Sequence, residues 1–361
     1  MLEIELNASA LPDDHQVYKC FPGEGYKFYD VVLAESTVFL DIRGLDELPE
    51  NPATWDDAAL RNTIALDRAM RGTRRRLRGR KHRKSAIEQR NFNFVKGLLL
   101  GLRRGALVIV PPPGYRRDVL IGEVIDEPGR PRRVEARDGD VSFTYLGRKV
   151  RWLASVEKRL LKRDLLDKLH TAQAFFPVGE SLHEDAYELA YENYVWRGNF
   201  VSTFRTSKEH FTSSDNLLSS IWFNGLAAAA SGADLGTKSF VETALLPDTE
   251  KAQNELELNI NSPGTILLRS VGAFALASMA LLPLSVSEAQ QVANGQARIT
   301  LRAVNGSDPN CQIQVEAAVA DYIRSLGPQR LLDMCEYGKK ARDEATLKAN
   351  VRLKNTTRGR S

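Results

Sequence analysis

Apolar and polar positions alternate with a period of two in several short windows of this chain. VSFTYL (141–146) and KVRWL (149–153) show the pattern most clearly, and it predicts half-buried antiparallel strands. VLIGEV (119–124) and ALVIV (106–110) are nearly continuous apolar runs and predict buried strands beside them. Residues 26–42 hold two apolar runs parted by Glu35-Ser36 and predict two short strands. Ala86–Leu102 has helical spacing instead, with Ile87, Phe94, Leu98 and Leu102 on one stripe; Arg103-Arg104-Gly105 then ends it. Thr54 is placed to cap a helix reaching about Met70, and Ser155 to cap a basic amphipathic helix over 156–169. Phe175–Val178 reads as a closing strand, and Gly179-Glu180-Ser181 as a break between domains.

The second half has a different rhythm. A helix is expected from Ser214 or Asp215 to Ala230, a strand over 199–204, and a hairpin of ELELNI with 266–268 around Asn261-Ser262-Pro263-Gly264. A strand over ARITLRAV, a helix from Pro309 to about Leu326 and a last helix from Gln329 to about Leu347 complete it. The reading is an α+β protein of two domains, 1–178 and 179–361.

Ser270–Val286 carries no charge over seventeen residues. A bilayer span needs about 20 apolar residues, and this run is Ala-rich and broken by Pro283, so a buried helix is expected and membrane contact is not. A membrane-acting segment at 270–286 is the alternative. Three widely spaced cysteines, Cys20, Cys311 and Cys335, fit reduced thiols in a cytoplasmic protein and no disulfide framework. The acidic N-terminus has no apolar segment of a secretory signal.

Net charge is only +4, but nine of the fourteen residues from Arg71 to Lys84 are Arg or Lys. Arg74, Arg75, Arg76, Arg78, Arg80 and Lys81 there form either an exposed loop or a phosphate-contacting arm. Arg132, Arg133, Arg148 and Arg151 are further phosphate candidates on the strand connections and ends. No P-loop, no dinucleotide fingerprint and no nucleophile elbow is present, and the five histidines lack metal-ligand spacing. No catalytic residue, metal or cofactor is assigned. Glu255 and Glu257 share one strand face and with Asp248 could form the carboxylate set of a metal-dependent nuclease, but no lysine follows in phase.

Bases are held by stacking on aromatic faces and by hydrogen bonds to their edges. Phe28, Tyr29 and Trp152 supply faces beside the basic positions; core packing is the other use of such residues. The phrases FPGEGYKFYDVVLAESTVFLDI, the helix around Asn91-Phe92-Asn93-Phe94, GLRRGALVIVPP, VLIGEV and RKVRWL resemble the PUA-like/EVE-type domains of modification-dependent restriction and phage-defence proteins. The resemblance covers about 18–178, and Gly105-Ala106 stands where Gly-Asp is usual. It implies a β-barrel with a concave aromatic pocket for a flipped, often modified base. By position that pocket would use Tyr29 in the first strand, Trp152 at the end of RKVRWL, and Asn91 or Asn93 for hydrogen bonds. The expected partner is nucleic acid, DNA before RNA, in bacterial anti-phage defence. The C-terminal half is expected to serve oligomerisation, partner binding or effector action.

Overall fold

A computed structural model describes residues 1–72, 81–114, 117–171, 173–230, 240–245, 254–259, 264–302 and 309–355. The chain divides into two compact units, 14–190 and 1–13 with 191–361. The division thus falls at 190 rather than 178, and the first thirteen residues belong with the C-terminal half. In chain order, β1 (Leu2–Leu6) and β2 (Ser9–Ala10) open the second unit.

The 14–190 unit runs β3 (Val17–Cys20), α1 (Tyr29–Glu35), β4 (Thr37–Phe39), α2 (Asp57–Gly72), α3 (Lys81–Lys96), β5 (Leu107–Val110), β6 (Val119–Val124), β7 (Arg132–Asp138), β8 (Val141–Val156), α4 (Arg163–Leu169), β9 (Phe175–Pro177) and α5 (His183–Ala190). Its sheet has the order β4-β8-β6-β5-β3-β9, with β7 also on β8. The strands do not close into a barrel among the described residues: β4 and β9 end the path without pairing each other. VSFTYL and KVRWL are one continuous strand, β8, on which every neighbouring strand of that end converges. Gly147 permits the convergence, because a Cβ there would lie 2.4 Å from the Val38 carbonyl oxygen. The core beneath holds Phe28, Phe39, Tyr145, Leu98, Leu102 and Val150.

Three local expectations are corrected here. Residues 29–35 form a helix, not a strand; Tyr29 and Val32 are buried one turn apart, and Ser36 ends the helix in the left-handed region at φ 47°. Asp56, not Thr54, caps α2, accepting the Ala59 N–H at 3.1 Å. Ser155 is a strand residue, and the helix after it is confined to Arg163–Leu169. The segment from Glu127 to Gly139, whose Gly, Pro and Arg content predicts a phosphate-contacting connection between strands, itself contains a strand, β7.

The other unit continues with β10 (Tyr194–Trp196), β11 (Asn199–Thr206), α6 (Ser213–Ala230), α7 (Phe240–Ala244), β12 (Asn254–Asn259), β13 (Gly264–Val271), α8 (Phe274–Leu281), α9 (Val286–Ala293), β14 (Ala297–Leu301), α10 (Pro309–Ser325), α11 (Pro328–Asp343), β15 (Leu347–Ala349) and β16 (Val351–Asn355). One sheet has the order β12-β13-β11-β10-β2, with β15 on β11; a second places β1 between β14 and β16. The uncharged run 270–286 ends β13 and then forms α8, whose eight residues are all buried. No described helix is long and apolar enough to cross a membrane. The α6 helix is capped by Thr212 and Asp215 reciprocally: Thr212 N–H donates to Asp215 at 2.7 Å and Asp215 N–H to the Thr212 hydroxyl at 3.3 Å. The last helix stops at Asp343, short of the expected Leu347, which instead opens the strand β15 ahead of β16.

Candidate nucleic-acid interface

Tyr29 and Trp152 line one open concavity of about 530 Å³ in the 14–190 unit. Helix α1 contributes Tyr29, Asp30 and Leu33; the lead-in to β6 contributes Arg117 and Asp118; β8 contributes Trp152 to Ser155. Four consecutive strand residues cannot all line one site in a regular pleat, whose side chains alternate between faces. The register between β6 and β8 shifts here: Ile121 faces Ala154 while Gly122 faces Trp152, which leaves Leu153 as an extra residue. Such a bulge re-aims the side chains around it.

Gly122 gives the indole its seat. A Cβ on Gly122 would lie 2.7 Å from Trp152 Cε3 and 2.9 Å from Cζ3, so only glycine lets the ring lie against β6. The indole Nε1–H donates to the Leu33 carbonyl at 3.3 Å, tying the ring to α1. Gly122→Ala is therefore expected to displace the indole at a cost of about 1–3 kcal/mol. A changed Trp152 fluorescence with an intact secondary structure is the observation that checks it.

The Tyr29 ring is almost entirely buried, and its hydroxyl donates to the Asp118 carbonyl at 2.6 Å. Burial, reinforced by the Asp118 charge, pushes the phenol up to about 12, so it stays neutral. Arg117 lies 5.4 Å from the Tyr29 centroid and pairs with Asp30. The Ser155 hydroxyl donates to Asp118 at 2.8 Å. The site thus has an aromatic wall with two carboxylates and one guanidinium at its polar side. Its acids oppose a phosphate and favour a neutral ring whose edge carries N–H donors.

The other base-pocket candidates fall elsewhere. Phe28 is fully buried in the core, its ring 5.4 Å from Phe39 and 5.0 Å from Tyr145. Asn91 and Asn93 lie on α3 and do not line the concavity; Asn93 accepts from Gln89 at 2.9 Å. Arg117, read from sequence only as a basic residue of a strand connection, joins the site, and Asp30, Asp118 and Ser155 join it unannounced by any motif; folding brings Arg117 and Asp118 beside the aromatic pair.

Among the phosphate candidates, Arg148 is corrected to a structural residue. Its guanidinium is wholly buried and bonded to Asp126 at 2.7 Å and to the Leu98 and Leu102 carbonyls at 3.2 and 2.7 Å. Arg151 is half-exposed and held by the buried carboxylate of Glu123 at 2.5 Å. Arg132 and Arg133 are exposed on β7, and Arg130, Arg137 and Lys149 are exposed near them on the same hairpin. None of these five cations has an ion pair among the described residues. Glu135, the outward carboxylate of β7, is engaged by the hydroxyls of Thr144 at 2.6 Å and Ser142 at 3.4 Å. Arg74, Arg75, Arg76, Arg78 and Arg80 lie outside the described residues, as does the Lys81 side chain at the start of α3.

In the other unit, Glu255 and Glu257 both pair with Arg269 across the β12–β13 hairpin, at 3.3 and 2.9 Å. Asp248 lies outside the described residues. No cluster of three or more metal-ligating side chains occurs among the described residues.

Comparison with family models, curated proteins and solved structures gives no match to this chain.

Proposed function

We propose that residues 14–190 are a nucleic-acid-reading module that holds an unstacked base against Trp152, with the cationic β7–β8 hairpin contacting phosphates. The finer fold assignment, a PUA-like/EVE-type domain, belongs to the same proposal. The observation that carries it is the convergence of Tyr29 and Trp152 on one concavity from a helix and a strand far apart in sequence. Charge supports the division of labour. Among the described residues the concavity holds Asp30 and Asp118 beside Arg117, which suits a neutral base. The hairpin shows five exposed cations against three acids, of which Glu135 is engaged by hydroxyls and Asp138 by Lys27 and Arg43, and the excess of positive charge suits a polyanion. DNA with a flipped or modified base is the favoured ligand, in the anti-phage setting that the sequence resemblance suggests. The 191–361 region then serves assembly, partner contact or effector action.

The test uses fluorescent duplexes that differ only in one central base, unmodified, methylated or hydroxymethylated. Trp152→Ala is expected to weaken binding to the preferred duplex by about 1–3 kcal/mol, the size of one base–aromatic stack. The control duplex should lose much less. Equal loss on both duplexes, or no loss, removes the base-pocket assignment.

A further inference from the structure

We infer that the groove between β14 and α10 is a docking site for an extended peptide of a partner protein, which adds a strand to β14 and seats an apolar side chain beneath α10. The groove encloses about 420 Å³ and is lined by Ala297, Arg298 and Ile299 of the strand and by Ile313, Ala320 and Ile323 of the helix, among others.

The backbone phase of β14 specifies an extended occupant. Strand β14 runs parallel to β1, with Leu2 N–H donating to Gln296 O at 3.0 Å and Arg302 N–H to Leu6 O at 2.8 Å. In a parallel ladder the residues facing a given neighbour alternate. Arg298 and Thr300 therefore face β1, while Ala297, Ile299 and Leu301 direct their N–H and C=O groups outward. At Leu301 two side chains of α10 take the place of a neighbouring strand. Glu316 accepts the Leu301 N–H at 2.7 Å, and the Gln312 amide donates to the Leu301 carbonyl at 2.9 Å. Ala297 and Ile299 have no such substitute among the described residues, and both line the groove. A sheet edge in this state is a template for one more strand.

Charge and shape narrow the occupant. One oxygen of the Glu316 carboxylate, Oε1, is engaged by both the Leu301 N–H and Gln312, 3.1 Å away. Arg324 is paired with Asp321 at 2.8 Å. Arg298 is exposed without an ion pair among the described residues, at the end of the edge where Ala297 is open. An acidic residue beside an apolar anchor fits that arrangement. A second copy fits it less well, because two β14 edges would bring their Arg298 rims together.

A phage-displayed library of random nonapeptides panned on the intact chain tests this, with enriched sequences resynthesised and measured by fluorescence anisotropy. Enriched peptides should alternate β-branched apolar residues with Asp or Glu. Ala297→Pro deletes only an outward N–H, at the first position of a strand, where proline is tolerated. It should weaken those peptides about 3- to 10-fold, the effect of losing one backbone hydrogen bond. Ala320→Leu fills the groove without touching the strand and should weaken them as well, and Arg298→Glu should remove the preference for acidic residues. Far-UV circular dichroism of each variant reports folding. Failure to enrich any peptide, or enriched peptides that bind Ala297→Pro and Ala320→Leu as they bind the parent, would overturn the inference. So would a dimer in sedimentation that Ala297→Pro dissolves, since the edge would then belong to a second copy.

Discussion

Replacing Arg148 with alanine is expected to destabilise the 14–190 unit by about 3–5 kcal/mol, the usual cost of breaking a buried charge pair from one side. It should leave the salt dependence of nucleic-acid binding unchanged. The guanidinium is fully buried and each of its three nitrogens donates to a protein acceptor. Its Nε and one terminal nitrogen hold the Asp126 carboxylate and carbonyl, each at 2.7 Å. The other terminal nitrogen takes the Leu98 and Leu102 carbonyls at 3.2 and 2.7 Å, where the helical segment after α3 runs out of its own donors. Alanine would take the side-chain donor from three carbonyls, Leu98, Leu102 and Asp126, and leave the Asp126 carboxylate to the Lys149 N–H, 2.9 Å away. Lysine would keep the charge but cannot span both sets of acceptors, so Arg148→Lys should fall between. Chemical denaturation of the intact chain, with hydrogen exchange of 14–190 peptides to localise the loss, measures this. A phosphate-contacting arginine would behave oppositely: little loss of stability, and a salt slope reduced by about one counterion. That outcome would return Arg148 to the interface.

The contrast between Arg148 and Arg132 shows where sequence pattern ceases to inform. Both stand in basic, strand-forming phrases, yet one is buried and the other exposed. The difference comes from Asp126 and two backbone carbonyls, which no local window contains. Continuous apolar runs such as β5 and β6 were readable because burial on both faces leaves no polar alternation. Strand β7 was not, since only Val134 and Ala136 face inward and the rest is Arg, Glu and Asp. The α1 segment misled through its paired valines, whose strand preference was overridden by burial of Tyr29 and Val32 on one helical face. LEIEL at the N-terminus alternates strictly, and Leu2, Ile4 and Leu6 are all fully buried in β1. Its acidic residues argue against a signal segment, and its period of two is the mark of the strand. In the candidate site, aromatic chemistry made Tyr29 and Trp152 legible. The bulge at Leu153 and the seat at Gly122 were not, because a bulge depends on the register of two strands, not on either alone.

Acidification should loosen the 14–190 unit well above the range in which ordinary carboxylates titrate, and His15 should be the cause. His15 is buried between the start of β3 and α5. Its Nε2–H donates to the Gly105 carbonyl at 2.9 Å, which leaves Nδ1 to accept from the Tyr187 hydroxyl at 3.0 Å. On the far side of that hydroxyl lies His183 Nδ1 at 3.2 Å, with His183 Nε2–H donating to the Val178 carbonyl at 3.1 Å. Burial holds the His15 imidazole down to about 4; the nearby His183 adds to this, and the Gly105 bond and Asp14 oppose it. The unfolded chain takes up the same proton near pH 6.5. Between those values the unfolded state binds more protons, so stability falls as pH falls from about 6.5 through about 4, by up to ~3 kcal/mol. Carboxylates held down by ion pairs, such as Asp41 and Asp138, lose their contribution only lower, below their unfolded values near 4. Asp67 and Glu123, raised by burial, act in the opposite sense. The difference between the parent and His15→Gln cancels both classes. Glutamine keeps a donor and an acceptor, so whatever stability it loses at neutral pH, its slope between pH 6.5 and 4 should be shallower by the His15 share. Parallel slopes for the two proteins, read by hydrogen exchange in 14–190, would mean that His15 is protonated in the folded chain as readily as in the unfolded one.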